Sequence, residues 1–166
     1  MKKILFVCTG NSCRSPMAEG LLEKMFEEKG IQNIEVFSAG INPVPGEPPA
    51  RDAIEVLRRE GVDISNHRGA YITYDLISQA DLILVMGKTH KEKILAMGPQ
   101  VKGRIFLLRE FAGDWTEDEN LDITDPIGQP ISVYEKCLLE IKNALKKALP
   151  KIIEMVEEPD ENSNRK

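Results

Sequence analysis

A short apolar run, Ile4-Leu5-Phe6-Val7, breaks into Cys8-Thr9-Gly10-Asn11-Ser12-Cys13-Arg14 and resumes at Ser15-Pro16 as a helical pattern. An apolar run of that length suits a central parallel strand buried on both faces. Gly10 frees the chain to turn its N–H inward, and Asn11 tolerates left-handed backbone. Pro16 stands near the first helical position, where its missing N–H costs nothing. The segment reads strand, tight loop, helix. It commits the remainder of the chain to an α/β architecture.

The rest of the sequence agrees. Met17, Leu21, Leu22, Met25 and Phe26 recur at helical spacing through Ser15–Lys29, and Gly30 stops the helix. Ile34–Phe37 is a second strand, followed by Ser38-Ala39-Gly40 and a proline-rich loop over 42–49. Ala50–Glu60 is helical, and Thr73–Gln79 forms a short helix with Thr73 as N-cap. Asp81–Met86 is the strongest strand, Thr89–Met97 a helix, Arg104–Leu107 a fourth strand and Leu108–Ala112 a helical turn. After a polar, acidic loop over 113–129, Ile131–Val156 is a long amphipathic helix that Pro150 is expected to end or kink. Strands alternating with helices imply a parallel sheet. The expected fold is a single three-layer α/β domain over residues 1–156, a four-stranded parallel sheet flanked by helices. Residues 157–166 are charged and apolar-free, a tail expected to be disordered.

Composition removes several classes of function. A chain of 166 residues makes one domain with a proper core. A net charge of −5 argues against nucleic acid as a partner. No stretch approaches the roughly 20 apolar residues of a membrane span. The Lys2-Lys3 start with its brief apolar segment is too short for a secretory signal, so the expected location is cytoplasmic. Three cysteines, Cys8, Cys13 and Cys137, make no disulfide framework. Neither His67 nor His90 has a partner at metal-ligand spacing, so no metal and no cofactor are expected.

Ligands of parallel α/β sheets bind at the carboxyl ends of the strands, where the Cys8–Arg14 loop lies. Backbone N–H groups at a tight loop and a helix start form an anion site. Arg14 adds a bidentate grip on phosphate oxygens. Cys8, beside that positive charge, is expected as the thiolate, the nucleophilic form. A phosphate cradle with a nucleophile beneath it has the chemistry of a phosphatase. Such a site also needs one carboxyl group to protonate the leaving group and later to activate water. Asp125-Pro126 in the acidic loop is a candidate, and from the residues alone Asp114, Asp118 and Asp122 compete with it.

With these motifs in view, the chain resembles the low-molecular-weight protein-tyrosine-phosphatases from Lys3 to about Lys147. Val7–Glu19 is similar to that family's signature loop. Ser38-Ala39-Gly40 is similar to the element after its second strand. Asp125-Pro126 with Val133-Tyr134 is similar to its acid loop and the start of its last helix. The resemblance implies that Cys8 is the nucleophile, Arg14 binds phosphate and the transition state, and Asp125 is general acid and base. Thr9, Gly10, Asn11, Ser12, Cys13 and Arg14 would hold the phosphate. Asn11 would fix the loop by reaching toward Ser38 and His67, and Ser15 would donate to the Cys8 thiolate. From the residues alone, other readings stay open: Ser15 as a helix N-cap, Ser38 as a turn residue and His67 as a structural histidine. His90 reads as solvated helix surface. Cys8 and Cys13 form a candidate redox pair. The implied partner is a phosphorylated protein, and the implied state is a monomer.

Three rival readings are weaker. Thioredoxin-coupled arsenate reductases share a similar loop but need two further cysteines downstream, and residues 81–97 contain none. A phosphocysteine carrier would not combine Arg14 with Asp125. A non-catalytic phosphate-binding module would be expected to lack one of Cys8, Arg14 and Asp125. Substrate preference reads less directly. The aromatic walls common in the tyrosine-directed branch are missing from 41–46 and from Ile127-Gly128. The small hydroxyl at Ser12 and the Asp-Pro-x-Gly pattern resemble a bacterial branch that removes phosphate from arginine.

Overall fold

The computed structural model describes residues 1–113 and 115–159. Four strands, β1 (Lys2–Cys8), β2 (Ile34–Gly40), β3 (Leu82–Val85) and β4 (Ile105–Leu107), form one sheet in the order β2-β1-β3-β4. Every pairing is parallel. The helices are α1 (Arg14–Glu28), α2 (Arg51–Arg59), α3 (Tyr74–Gln79), α4 (Lys88–Met97), α5 (Leu108–Ala112) and α6 (Ile131–Glu157). One apolar cluster, with Phe6, Met17, Leu22, Leu57 and Ile141, joins α1, α2, α5 and α6 to one face of the sheet. A second, with Leu5, Val7, Ile83, Ile77 and Ile94, joins α3 and α4 to the other. Both faces of β1 are thereby covered, which is why Ile4–Val7 is apolar at every position and not at alternate ones. The fold is the three-layer α/β domain that the strand and helix pattern implies.

Three details differ from the sequence reading. β2 runs on through Ser38-Ala39-Gly40, because these residues continue the ladder to Cys8. Pro99–Arg104 is a 3₁₀ segment that no periodicity announces. The α6 helix passes through Pro150 without ending. Pro150 is on the exposed face, and so is Lys146, whose carbonyl loses its i+4 donor and can turn to water. Thr73, in contrast, caps α3 as its position suggests, accepting from Leu76 N at 3.1 Å. Of the tail expected over 157–166, Glu157 still belongs to α6, and residues 160–166 lie outside the described residues. Among the described residues, no helix is long and apolar enough to cross a membrane.

Candidate active site

The register sets Cys8 at the carboxyl end of β1 beside Gly40 of β2. The chain then folds back over the strand ends. Ile41 N donates to Cys8 O (3.1 Å), Asn42 N to Thr9 O (2.9 Å) and Ala50 N to Ser12 O (2.9 Å). Gly40 is required by closeness, since a Cβ there would lie 2.6 Å from Thr9 O. The third residue of Ser38-Ala39-Gly40 thus clears space for the loop.

Asn11 organises the interior of the loop. It is fully buried with φ of 52°, the left-handed backbone anticipated for it. Its Nδ2 donates to Ser15 Oγ (2.8 Å) and Ser38 Oγ (3.0 Å), and its Oδ1 accepts from Ala70 N (3.0 Å). Its carbonyl receives His67 Nε2 at 3.1 Å. A carbonyl can only accept, so that ring nitrogen carries the hydrogen. His67 Nδ1 lies 3.5 Å from Glu19 Oε2, a contact that the sequence reading did not foresee. The strained residue is held at every polar atom of its side chain.

Cys8 is 2% exposed, its Sγ receiving Asn11 N at 3.3 Å. Ser15 Oγ lies 2.9 Å from the same sulfur. That hydroxyl already accepts from Asn11 Nδ2, which leaves its own proton for the sulfur. Ser15 is inside the first turn of α1, and the N-cap position is Cys13, so the capping alternative for Ser15 does not hold.

Arg14 is buried, its guanidinium held by three oxygens. Nη1 donates to Ile123 O (3.1 Å), Nη2 to Thr9 Oγ1 (3.4 Å), and Asp125 Oδ2 stands 3.6 Å from Nη2. The acidic loop is tied down on both sides of that contact. Ile123 N donates to Met86 O (2.8 Å), while Thr124 N and Oγ1 donate to the two oxygens of Glu140 (2.9 and 2.8 Å). Asp125 Oδ1 accepts from Ile127 N at 3.2 Å. Of the competing carboxylates, Asp122 accepts from Lys88 N at 2.9 Å and packs on Gly87, at the start of α4. Asp118 is on the exposed part of the loop. Asp114 lies outside the described residues.

Cys13 is buried beneath the loop, its Sγ 3.7 Å from Tyr134 OH and 3.6 Å from Ser12 Oγ. Burial pushes the Cys13 thiol up, and likewise the Tyr134 phenol and the Cys137 thiol. All three cysteines are free. His90 overturns its reading as solvated surface. It is 2% exposed, with Nε2 at 2.9 Å from Thr9 Oγ1. Its position four residues before Ile94, the other buried residue of α4, was the one signal available.

Comparison with known proteins places this fold in a family. A family model described as low molecular weight phosphotyrosine protein phosphatase matches residues 3–159. A probable low molecular weight protein-tyrosine-phosphatase EpsP of Ralstonia solanacearum is 39% identical over 152 residues, covering 92% of this chain and 97% of that protein. A protein-arginine-phosphatase of Bacillus subtilis is 34% identical over 143 residues, covering 86% of this chain and 91% of the other. Among solved structures, the YwlE arginine phosphatase superposes with a TM-score of 0.82 at 31% identity, over 91% of this chain and 95% of that one. It is a cysteine-to-serine mutant with a phosphorylated active site serine.

Proposed function

The chain belongs to the low molecular weight protein-tyrosine-phosphatase family, and from that premise we propose how its residues divide the reaction and which phosphoprotein they favour. It is a cysteine-dependent protein phosphatase that works through a covalent phosphoenzyme. In our reading Cys8 is the nucleophile, Arg14 grips the phosphoryl oxygens, and Asp125 serves as acid and then as base. The observation that supports this is Asp125 Oδ2 lying 3.6 Å from the Arg14 guanidinium, whose Nη2 also donates to Thr9, the residue after Cys8.

The Cys8 thiolate attacks phosphorus, forming an S–P bond while the bond to the leaving group breaks. Asp125 gives that leaving oxygen or nitrogen its proton. Asp125, now a carboxylate, takes a proton from water as the water attacks phosphorus. The S–P bond breaks, inorganic phosphate leaves, and Ser15 donates to the returning thiolate. The N–H groups of Thr9, Gly10, Asn11, Ser12 and Cys13, with Arg14, cradle the three oxygens throughout. Asn11, Ser38 and His67 keep the cradle in shape. We further infer that it acts as a monomer in the cytoplasm.

For substrate, the reading is phosphoarginine at least as readily as phosphotyrosine. A phosphotyrosine ring gains about 0.5–1.5 kcal/mol per aromatic pair beyond burial. The rim segments here carry aliphatic side chains, with Ile127 and Val44 both exposed. A phosphoguanidinium presents N–H donors next to phosphorus, and the hydroxyl of the half-buried Ser12 would accept from them or orient water. Ser12→Ile would leave those donors unpaired, at about 1–3 kcal/mol. Side-by-side turnover of phosphoarginine protein and phosphotyrosine peptide tests this. Ser12→Ile is expected to move the ratio toward phosphotyrosine by about ten-fold or more. A wild type strongly preferring phosphotyrosine, unchanged in preference by Ser12→Ile, returns the chain to the tyrosine-directed branch.

Cys13 supplies a second prediction. Mild peroxide converts the Cys8 thiolate to a sulfenic acid as the O–O bond breaks, and the hydroxide released takes a proton from solvent to leave as water. The Cys13 thiol then displaces hydroxide from that sulfur, giving a disulfide and a second water. Wild type is expected to recover with thiol reductant and to yield a linked Cys8–Cys13 peptide by mass spectrometry. Cys13→Ser is expected to over-oxidise irreversibly. Equal recovery of the two proteins removes the protective role.

A further inference from the structure

His90 is the third residue of α4, 81 positions from its hydrogen-bond partner Thr9. Its Nδ1 is buried and has no hydrogen-bond partner among the described residues. An imidazole satisfied at one nitrogen and bare at the other is a poor choice for packing alone. A leucine of similar size would bury the same space without an orphaned polar atom. What only the imidazole provides is Nε2, 2.9 Å from Thr9 Oγ1. Thr9 Oγ1 is also one of the oxygens that hold the Arg14 guanidinium. The line His90–Thr9–Arg14 runs from the start of α4 into the phosphate cradle.

We propose that His90 is a positioning residue, holding the Thr9 hydroxyl so that Arg14 keeps its phosphate-gripping orientation. The inference rests on the reading of Arg14 as the phosphate ligand. Burial, and next the neighbouring Arg14 charge, push the His90 pKa down to about 4, against the opposing pull of Asp122 and Asp125. The ring is therefore neutral at physiological pH and supports Thr9 without setting a second cation against the guanidinium. The same direction fixes a stability signature. The folded state binds fewer protons than the unfolded chain between the ordinary histidine value near 6.5 and about 4. Stability from this site is thus present above that window and lost as pH falls through it.

The test compares wild type, His90→Leu, His90→Gln, Thr9→Val and the Thr9→Val/His90→Leu double variant. Readouts are inorganic phosphate affinity by calorimetry, turnover of an aryl phosphate, and thermal melting at several pH values. His90→Leu is expected to weaken phosphate and lower kcat by about ten-fold each, with a melting temperature at least equal to wild type and less loss of stability from pH 6.5 to 4. His90→Gln, whose amide reaches the position of Nε2, is expected to restore most of the function. The double variant should be no worse than the more impaired single variant, because both break one line. Folded His90→Leu with wild-type phosphate affinity and kcat overturns the proposal, as do multiplying effects in the double variant or failure of His90→Gln where His90→Leu is impaired. A wild type that binds phosphate without hydrolysing aryl phosphate, with binding weakened in His90→Leu, would instead sink the catalytic reading and leave the positioning role standing.

Discussion

Replacing Cys8 by serine is expected to abolish turnover, a loss on the order of 10⁴-fold or more, while inorganic phosphate still binds. The two halves of this outcome have different physical origins. Turnover requires a sulfur that attacks phosphorus as the anion and later departs as one. A serine hydroxyl is far harder to ionise and a far poorer leaving group. On the proposed reading, binding depends on Arg14 and the loop N–H groups, which the substitution leaves in place. Asn11 N and Ser15 Oγ, now 3.3 and 2.9 Å from the sulfur, would each find an oxygen in its stead. Calorimetric titration with phosphate, beside a turnover assay on a preparation free of wild type, separates the two. Substantial residual turnover overturns the nucleophile assignment. Loss of phosphate binding as well would mean that the sulfur shapes the cradle and is not merely its nucleophile.

What was legible in the sequence follows the range of the interactions. Cys8 and Arg14 stood out as candidates because strand, loop and helix start are contiguous in the sequence, the layout of an anion site. The four-stranded parallel sheet was legible for a similar reason, since each strand is a short apolar run bounded by turn residues. Ser38 and His67 carried no local signal. Only the resemblance pointed to them, and their contacts with Asn11 span 27 and 56 positions. Gly40 was read only as part of the element after the second strand, whereas its lack of a side chain makes room for Thr9 O in the folded chain. His90 was misread outright. Polar residues on a helix are usually solvated, and its burial depends on where α4 meets the loop after β1. The acidic loop is intermediate. Asp122 and Asp125 look alike in composition, and the difference between them lies in which N–H or guanidinium each carboxylate meets.

That difference makes Asp125→Ala the second large effect. Without its carboxyl group the leaving atom departs unprotonated and the phosphoenzyme waits for unassisted water, so a loss on the order of 10²–10⁴-fold in kcat is expected. The Asp125 side chain is 47% exposed and faces Arg14 at 3.6 Å, open to an incoming substrate at the mouth of the cradle. The penalty should depend on the leaving group. For p-nitrophenyl phosphate, whose phenolate leaves readily, the loss in the first step shrinks. For an alkyl-substituted aryl phosphate it should stay near its maximum. Asp122→Ala should behave differently, because its carboxylate accepts from Lys88 N at the start of α4. Removing it is expected to cost about 0.5–2 kcal/mol of stability as a lost helix cap, without the leaving-group dependence. Measuring kcat for both variants against a series of aryl phosphates decides between them. If Asp122→Ala or Asp118→Ala carries the leaving-group dependence and Asp125→Ala does not, the general acid is misassigned.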